Sequence, residues 1–385
     1  MKYIIVCLTI LLLILSCNIR SDEIDSYNGI MVIDIENSIG QSRSIALSEI
    51  ASDIEYIPLE YSEKSIVGKV FQRGTVFEND TLFIMQMNGD IKIFDSTGKF
   101  IRTFNRMGRS SQEYSYLNAL QITNNNTIII STLNTCKEYT TKGKHIRNIF
   151  PLQDSTTHNI SNWDFAVFNN KFAFAPDIIL NDNNIYSAII TDSLSNIVLK
   201  VKYPIGERQK LKEQDWSMRA TYFSVDMIPT EKGLTLFNGI NPYILRINNN
   251  LSIDTLYFIK YGNSHKVGHI CESSNYLFMQ LIINNFDNNK NSTNLVNYAL
   301  FDKSTGLFSF IAPQSKANQG FIDDLLGGPS IWPMYTSRNN FMISIIEAST
   351  LKNHIHSNKV SEKLRNLGNT LKENDNPILI KIQLK

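Results

Sequence analysis

Short segments of alternating apolar and polar residues, separated by turn residues, recur along the chain. Residues 91–95 and 99–104 show this alternation, and a Ser-Thr-Gly turn lies between them. Alternation with a period of two, interrupted by a short glycine turn, predicts a β-hairpin. Residues 138–147 repeat the pattern, with Gly143 in the position of Gly98. The two hairpins are therefore related copies.

Three weaker copies of this hairpin follow, at residues 190–198, 245–251 and 300–308. The spacing of roughly 45 to 55 residues is typical of a propeller blade of about four strands. A β-sandwich followed by a helical tail would also contain such strands, but the regular spacing favours a ring of blades.

The last part of the chain supplies a sixth unit. Residues 331–337 and 341–347 predict its two inner strands, and residues 378–384 predict a terminal strand after Pro377. Between them, residues 349–374 are rich in Lys, Leu, Glu and Asn and predict a helical excursion.

A strand from the N-terminal region would complete this sixth unit, and residues 31–35 and 54–59 are both candidates. Pairing the two chain ends in one sheet closes the ring and removes an exposed edge. The sequence therefore predicts an all-β fold, a six-bladed β-propeller of four-stranded blades. It forms a single domain over residues 29–385, with a short helical insertion before the last strand.

Composition and charge narrow the function classes. The chain has 385 residues, of which 43% are hydrophobic, so it can bury a large core and is not a disordered protein. The 37 Lys and Arg residues nearly balance the 36 Asp and Glu residues, which leaves a net charge of +1. The chain therefore has no large net positive charge that would attract nucleic acid.

The first residues have the features of a targeting segment. Lys2 precedes the apolar run 4–15, and Ser16-Cys17 follows at once, which is the layout of a signal peptide. Residues 14–17, Ile-Leu-Ser-Cys, resemble the bacterial lipoprotein box, and this implies lipidation of Cys17 and an anchor in the membrane. A plain signal peptide with a chance cysteine is the alternative. We expect residues 1–17 to be the lipoprotein signal and the polar residues 18–28 to be a flexible tether.

Two cysteines remain for the domain, Cys136 and Cys271. A disulfide in an oxidising compartment and two separate buried thiols are both open.

A further set of motifs lies in residues 47–50, 54–60, 94–95, 98–102, 108–114, 327–329, 332–333 and 376–379. Together these motifs resemble the six-bladed β-propeller lipoproteins of anaerobic Gram-negative bacteria. One departure is visible, because Ser110-Ser111-Gln112 stands where that family has a Gly-Pro-Gly before the Glu-Tyr. The resemblance implies a propeller in the cell envelope, on an outer-membrane lipoprotein that faces the periplasm or the cell surface. It implies no activity.

Motifs of the common enzyme classes do not occur. The sequence has no His-Glu-x-x-His, no phosphate-binding loop, no Gly-x-Ser-x-Gly and no Cys-x-x-Cys. His265 and His269 have the i, i+4 spacing of metal ligands on a helix, but the nearby Gly262 and Gly268 favour isolated, exposed histidines in a loop. We therefore expect no metal and no cofactor, and nothing positive indicates calcium at the propeller axis. Acidic residues near strand starts are interpreted as solvated loop carboxylates: Glu113, Asp164, Asp323 and Asp324.

The three tryptophans lie near the starts of predicted inner strands, where the connections between blades come together on one face. Aromatic rings around a central depression would suit a sugar or a peptide. Packing between blades is the competing explanation for each tryptophan. The candidate ligand-binding set is Trp163, Trp216, Arg219, Tyr222, Trp332 and Tyr335.

Two functions are therefore carried forward. The first is a non-catalytic envelope lipoprotein that binds a glycan, a peptide or an envelope protein partner on one face. The second is a propeller hydrolase or lyase that acts on a small ester, lactone or glycan with residues or a metal gathered at the central axis.

Overall fold

We analysed the chain as a computed structural model. The structure describes eleven segments, and all structural statements below concern these residues: 26–27, 29–70, 74–132, 135–149, 160–176, 186–202, 225–239, 241–261, 265–283, 295–313 and 319–385. The predicted signal, Cys17 and most of the predicted tether lie outside them.

The N-terminal segment contributes short strands and one turn of helix before the ring begins. Its 3₁₀ turn covers Glu36–Ser38. The other elements are β1 (Ser26–Tyr27), β2 (Ile30–Asp34), β3 (Ser42–Arg43), α1 (Leu47–Ile50) and β4 (Ala51–Pro58).

Five blades then follow in order, each made of four consecutive antiparallel strands that run from the centre of the ring outwards. The first has β5 (Thr75–Glu78), β6 (Thr81–Met85), β7 (Ile91–Asp95) and β8 (Phe100–Phe104). The second has β9 (Ala119–Ile122), β10 (Thr127–Ser131), β11 (Cys136–Thr140) and β12 (His145–Ile149). The third has β13 (Ile160–Phe168), β14 (Lys171–Pro176), β15 (Tyr186–Thr191) and β16 (Ile197–Lys202). The fourth has β17 (Val225–Thr230), β18 (Gly233–Asn238), β19 (Tyr243–Asn248) and β20 (Ile253–Lys260). The fifth has β21 (His265–Glu272), β22 (Tyr276–Ile283), β23 (Leu295–Asp302) and β24 (Phe308–Ile311).

The sixth blade joins the two chain ends. Its strand order is β25-β26-β27-β4, so an N-terminal strand supplies the outer edge. The predicted six-bladed propeller, closed by both ends, is thus confirmed, and so is the helical insertion before the last strand. The C-terminal elements are β25 (Tyr335–Thr336), β26 (Phe341–Ile346), α2 (Ala348–Ser357), α3 (Glu362–Thr370) and β27 (Ile378–Leu384).

Of the two candidate closing strands, the second is right. Residues 51–58 pair with β27, from Ile378 opposite Pro58 to Leu384 opposite Ala51. Residues 30–34 instead lie parallel to β20, outside the fourth blade. Strand β3 lies parallel to β24 in the same way, outside the fifth blade. The segment before the ring therefore covers the outer edges of three successive blades.

The five related hairpins predicted from the sequence are the two outer strands of blades one to five. Each turn needs one residue with positive φ, which glycine adopts without steric cost. In two of the weaker copies other residues take this conformation, Ser195 (φ 70°) and Leu251 (φ 72°). In the remaining three, the residue is Gly98, Gly143 or Gly306.

Apolar side chains fill the contacts between neighbouring blades. The ring centres of Phe104 in the first blade and Tyr139 in the second lie 5.5 Å apart, edge to face. Both rings contact Tyr114, which lies in the connection between these blades. The largest cluster joins the fifth and sixth blades, and Leu351 of α2 and Leu364 of α3 pack into it. Burial of these residues is the main stabilising contribution to the ring.

Cys136 and Cys271 are both buried and unpaired, so the disulfide alternative is wrong. Within the described part of the chain, no helix has the length and apolar character needed to cross a membrane.

Candidate functional site

The inner strands surround a cavity of about 140 Å³ on the axis of the ring. Every blade contributes to its wall, because the first strand of each blade faces the axis. Polar or titratable side chains from five blades lie there beside apolar ones. One lining residue from each blade, in chain order, is Thr75, Gln121, Phe165, Asp226, His269 and Tyr335.

Three of the lining side chains form a connected series across the fourth and fifth blades. His269 Nδ1 lies 2.6 Å from Asp226 Oδ1, and His269 Nε2 lies 3.6 Å from the Sγ atom of Cys271. The second carboxylate oxygen of Asp226 accepts a 2.8 Å hydrogen bond from the Ile270 N–H. The carboxylate is thereby fixed, and it holds the imidazole with Nε2 directed at the thiol.

His269 and Cys271 share one face of β21 because they are two residues apart, and a β-bulge just before them separates this face from that of Val267. The pairing with β22 shifts between Val267 and His269, so Gly268 is the extra residue. Val267 and Ile270 consequently belong to one apolar cluster although they are three residues apart. His269 and Cys271 both line the cavity on the axis, which we call the axial channel.

The site is charged and largely removed from water. Burial alone would lower the pKa of His269, but the Asp226 carboxylate and the Cys271 sulfur act in the opposite direction. Their charge and hydrogen bonds raise the pKa of His269 well above its usual value. The protonated imidazole is therefore favoured between a carboxylate and a sulfur atom.

A second polar group lies on the sixth blade's side of the channel. The Tyr335 hydroxyl donates to Glu78 Oε1, and Arg338 Nε lies 4.0 Å from the same oxygen. Burial raises the pKa of Glu78, although Tyr335 and Arg338 oppose this. Burial and the Glu78 carboxylate raise the pKa of Tyr335 well above its usual value, so the hydroxyl stays protonated as a donor.

Where the inner strands end, hairpin turns enclose a larger cavity of about 480 Å³. Pro229 and Arg338 line both this cavity and the axial one, so the two meet at these residues. We call this larger cavity the turn-face pocket. The second to fourth blades supply most of its wall. Its polar lining includes Thr123, Asn124, Asn125, Glu138, Arg147, Asn169, Asn170, Ser193, Thr230, Glu231 and Asn249.

The structure describes two of the six predicted ligand-binding side chains. Tyr335 lines the axial channel. Trp332 packs between the fifth and sixth blades, with its ring 4.3 Å from that of Tyr298 and 5.7 Å from that of Phe321. Strand β13 includes Trp163, whose side chain is not described. Trp216, Arg219 and Tyr222 lie outside the described residues, so a ligand role for the six residues stays a prediction.

Two interpretations from the sequence are wrong. His269 is not an exposed histidine in a loop, since it lies in β21 and its side chain is 21% exposed. Gly268 belongs to a bulge, which a sequence pattern cannot distinguish from a loop. Asp323 is not a solvated carboxylate either, because it is 3% exposed and accepts hydrogen bonds from Tyr56 and three backbone N–H groups.

No motif or spacing in the sequence indicates the Asp226–His269–Cys271 series. Asp226 and His269 are 43 residues apart and meet only when the fourth and fifth blades lie side by side. Among the described residues, no group of three or more His, Cys, Asp or Glu side chains could hold a metal ion.

A family model described as "Domain of unknown function (DUF4934)" matches residues 30–383. This match spans almost the whole ring. The chain belongs to the DUF4934 family. Its description assigns no activity, and no curated protein matches the chain.

Several solved structures are similar to this DUF4934 protein, and the first of them supports the fold. A Bacteroides fragilis protein described as exported superposes with a TM-score of 0.64 at 15% identity, over 92% of this chain and 100% of that one. A streptogramin B lyase matches with a TM-score of 0.40 at 11% identity, over 86% and 98% of the two chains. An ancestral GH74 enzyme matches with a TM-score of 0.40 at 13% identity, over 77% and 36%.

Proposed function

We propose that this chain is an exported, lipid-anchored binding protein whose propeller takes a saccharide in the turn-face pocket. The proposal for export rests on the signal-like residues 1–17 and on the fold shared with the exported Bacteroides fragilis protein. Acylation of Cys17 would hold the ring at the outer membrane, because several acyl chains on one residue bind a bilayer far more firmly than a single chain.

The observation that carries the ligand is the lining of the turn-face pocket. Saccharide hydroxyls both donate and accept hydrogen bonds, and an asparagine amide offers both functions. Asparagine side chains from three blades line the pocket, and its volume lies within the usual range for small-molecule sites. The asparagines are Asn124, Asn125, Asn169, Asn170 and Asn249.

One charged residue of the pocket is held rigidly. Arg147 Nε donates a 2.7 Å hydrogen bond to Glu138, and its Nη1 donates a 2.6 Å bond to the Ser193 carbonyl. Its guanidinium carbon lies 5.5 Å from the centre of the Phe172 ring. A donor fixed in this way can bind a hydroxyl or a sugar carboxylate with little loss of side-chain entropy.

A matched pair of turns allows a clean test. The turn Asn169-Asn170 has positive φ at both residues, as does the turn Asn79-Asp80 of the first blade. Asn170→Asp therefore gives the pocket turn a sequence that the same chain already folds elsewhere, while it replaces an amide donor with a carboxylate. Asp80→Asn makes the reverse exchange outside the pocket and serves as the control.

The full chain is screened on a glycan array, and hits are measured by calorimetry. We expect Asn170→Asp to weaken the best saccharide roughly threefold to tenfold, the effect of one hydrogen bond, and Asp80→Asn to leave it unchanged. An array without a hit would overturn the proposal. So would a hit that Asn170→Asp does not weaken, and such a hit would direct attention to the predicted aromatic set around Trp332 and Tyr335.

A further inference from the structure

We propose that Cys271 is a nucleophile that hydrolyses a small ester in the axial channel, with His269 as its general base and Asp226 as a positioning residue. This reaction goes beyond saccharide binding at the turn-face pocket, because Asp226, His269 and Cys271 line the axial cavity and do not line that pocket. It would make the chain an enzyme.

The geometry is that of a thiol activated by an oriented imidazole. A nucleophile needs a base within hydrogen-bonding reach, and the base needs a third group that fixes its orientation. The 3.6 Å contact between Cys271 Sγ and His269 Nε2 meets the first requirement for sulfur, and the 2.6 Å contact between His269 Nδ1 and Asp226 meets the second. The Ile270 N–H that bonds Asp226 fixes the carboxylate in turn.

Each step of the reaction balances without an oxidant or a metal. In the resting site the proton shared by Cys271 and His269 lies on Nε2 of the protonated imidazole, so the Cys271 sulfur attacks the ester carbonyl carbon as a thiolate and forms a C–S bond. The C–O bond to the leaving group then breaks, and the imidazolium returns its proton to the departing alkoxide, which leaves as an alcohol. His269 next takes a proton from water. The resulting hydroxide attacks the thioester carbonyl, the C–S bond breaks and the acid leaves, and the thiolate and the protonated His269 are regenerated as a pair.

The surroundings of the channel limit the substrate. Its volume of about 140 Å³ admits an acyl group of only a few carbon atoms. Arg338 lines the same cavity, and its positive charge favours the negative charge that develops on the carbonyl oxygen during attack. We therefore infer an ester with a short acyl group, such as an acetyl ester.

The same chain contains an internal comparison. Cys136 is also a free thiol, but it is completely buried, it does not line the channel, and burial raises its pKa to about 12. A thiol in that state is a poor nucleophile at neutral pH, because the thiolate is the reactive form. Cys136→Ser is therefore the matched control for Cys271→Ser.

The test uses the full chain and p-nitrophenyl acetate. We expect p-nitrophenolate release with turnover, and a trapped acetyl group that peptide mapping assigns to Cys271. Cys271→Ser should abolish this release and Cys136→Ser should preserve it, while His269→Asn should slow acylation at least about 100-fold. Asp226→Asn should slow acylation and also lower the pKa of the His269 imidazole in an NMR titration, which a purely structural role would not require.

Three results would overturn the proposal. The first is acetylation confined to lysines or to other cysteines. The second is a release rate that Cys271→Ser leaves unchanged, and the third is an acetyl group on Cys271 that never turns over. Circular dichroism of each variant shows whether the ring is folded. If a variant unfolds, a second experiment on the wild type replaces it: the rate at which iodoacetamide alkylates Cys271 is measured with and without p-nitrophenyl acetate. Protection of Cys271 by the ester supports the site, and unchanged alkylation overturns it.

Discussion

The hydroxyl of Tyr56 donates a 2.8 Å hydrogen bond to Asp323 Oδ2, which links the closing strand β4 to the connection between the fifth and sixth blades. The same carboxylate accepts bonds from the N–H groups of Leu325, Leu326 and Gly328. A Cβ atom on Gly328 would lie 1.9 Å from the tyrosine oxygen, so the contact requires glycine there. Asp323 thus holds the Gly-Gly loop against the closing strand.

Removing the Tyr56 hydroxyl should weaken the ring at its closure. We expect Tyr56→Phe to lower the free energy of unfolding by about 1 to 2 kcal/mol, because Asp323 loses one partner in a buried site. Urea denaturation measures this change. The control is Tyr61→Phe, whose side chain is 53% exposed, and it should cost less than about 0.5 kcal/mol. Equal effects of the two variants would contradict the role given to Tyr56.

Asn376 should tolerate even less change. Its Nδ2 donates to the Glu60 and Ser65 carbonyls at 2.6 and 2.9 Å, and its Oδ1 accepts from the Val67 N–H at 2.8 Å. Asn376→Asp would set a carboxylate against two carbonyl oxygens, so we expect a loss of at least about 2 kcal/mol. Chemical denaturation checks this. Asn358→Asp, at an exposed amide, is the control and should stay within about 1 kcal/mol.

Strand β27, which pairs with the closing strand β4, should contribute to the stability of the core. Ile380 is 2% exposed and lies opposite Tyr56. Ile380→Ala should cost about 2 to 5 kcal/mol, the usual range for truncating a buried isoleucine. Ile253→Ala changes the same residue type at a position that is 43% exposed, and we expect a much smaller loss. A thermal or urea transition of both variants distinguishes them, and a smaller cost at Ile380 would count against the closure.

His269 should make stability fall as the pH rises. Its folded-state pKa lies well above the usual histidine value of 6.5, so the protonated imidazole stabilises the fold fully below about pH 6.5. This contribution is lost as the pH rises through the folded-state pKa. The charged or titratable groups around His269 are Asp226, Cys271, and the group formed by Glu78, Tyr335 and Arg338.

The measurement is urea denaturation at about pH 6 and about pH 9. We expect the wild type to lose stability between the two values, and His269→Gln to lose less. His356→Gln, on the exposed side of α2, should keep the wild-type dependence. If His269→Gln showed the full wild-type change, the ion pair with Asp226 would not be its source.

The hairpins were predictable because they are local. Their alternation and the glycines at Gly98 and Gly143 depend on neighbouring residues alone, and so does the strand after Pro377. The identity of the closing strand was not predictable, because β2 and β4 have similar apolar patterns and differ only in their distant partners. That choice depends on the complete ring.

The chemistry at the axis was hidden for a related reason. A histidine next to a glycine is typical of a loop, and only the pairing of β21 with β22 shows that Gly268 is a bulge. Asp226 lies on a different blade, so no spacing in the sequence connects it with His269. Local patterns predict strands, whereas this site depends on which strands face the same axis.

The N-terminal strands also decide how the ring would bear a mechanical load. Beyond the short hairpin of β1 and β2, tension applied ahead of residue 26 meets the parallel pairing of β2 with β20 first and that of β3 with β24 next. Only after both are sheared does it reach β4, which closes the circle. Parallel strands pulled along their length break several hydrogen bonds together, so the two outer strands act as strain relief for the closure. A pull on the N-terminal segment would therefore release these two pairings before it opened the ring.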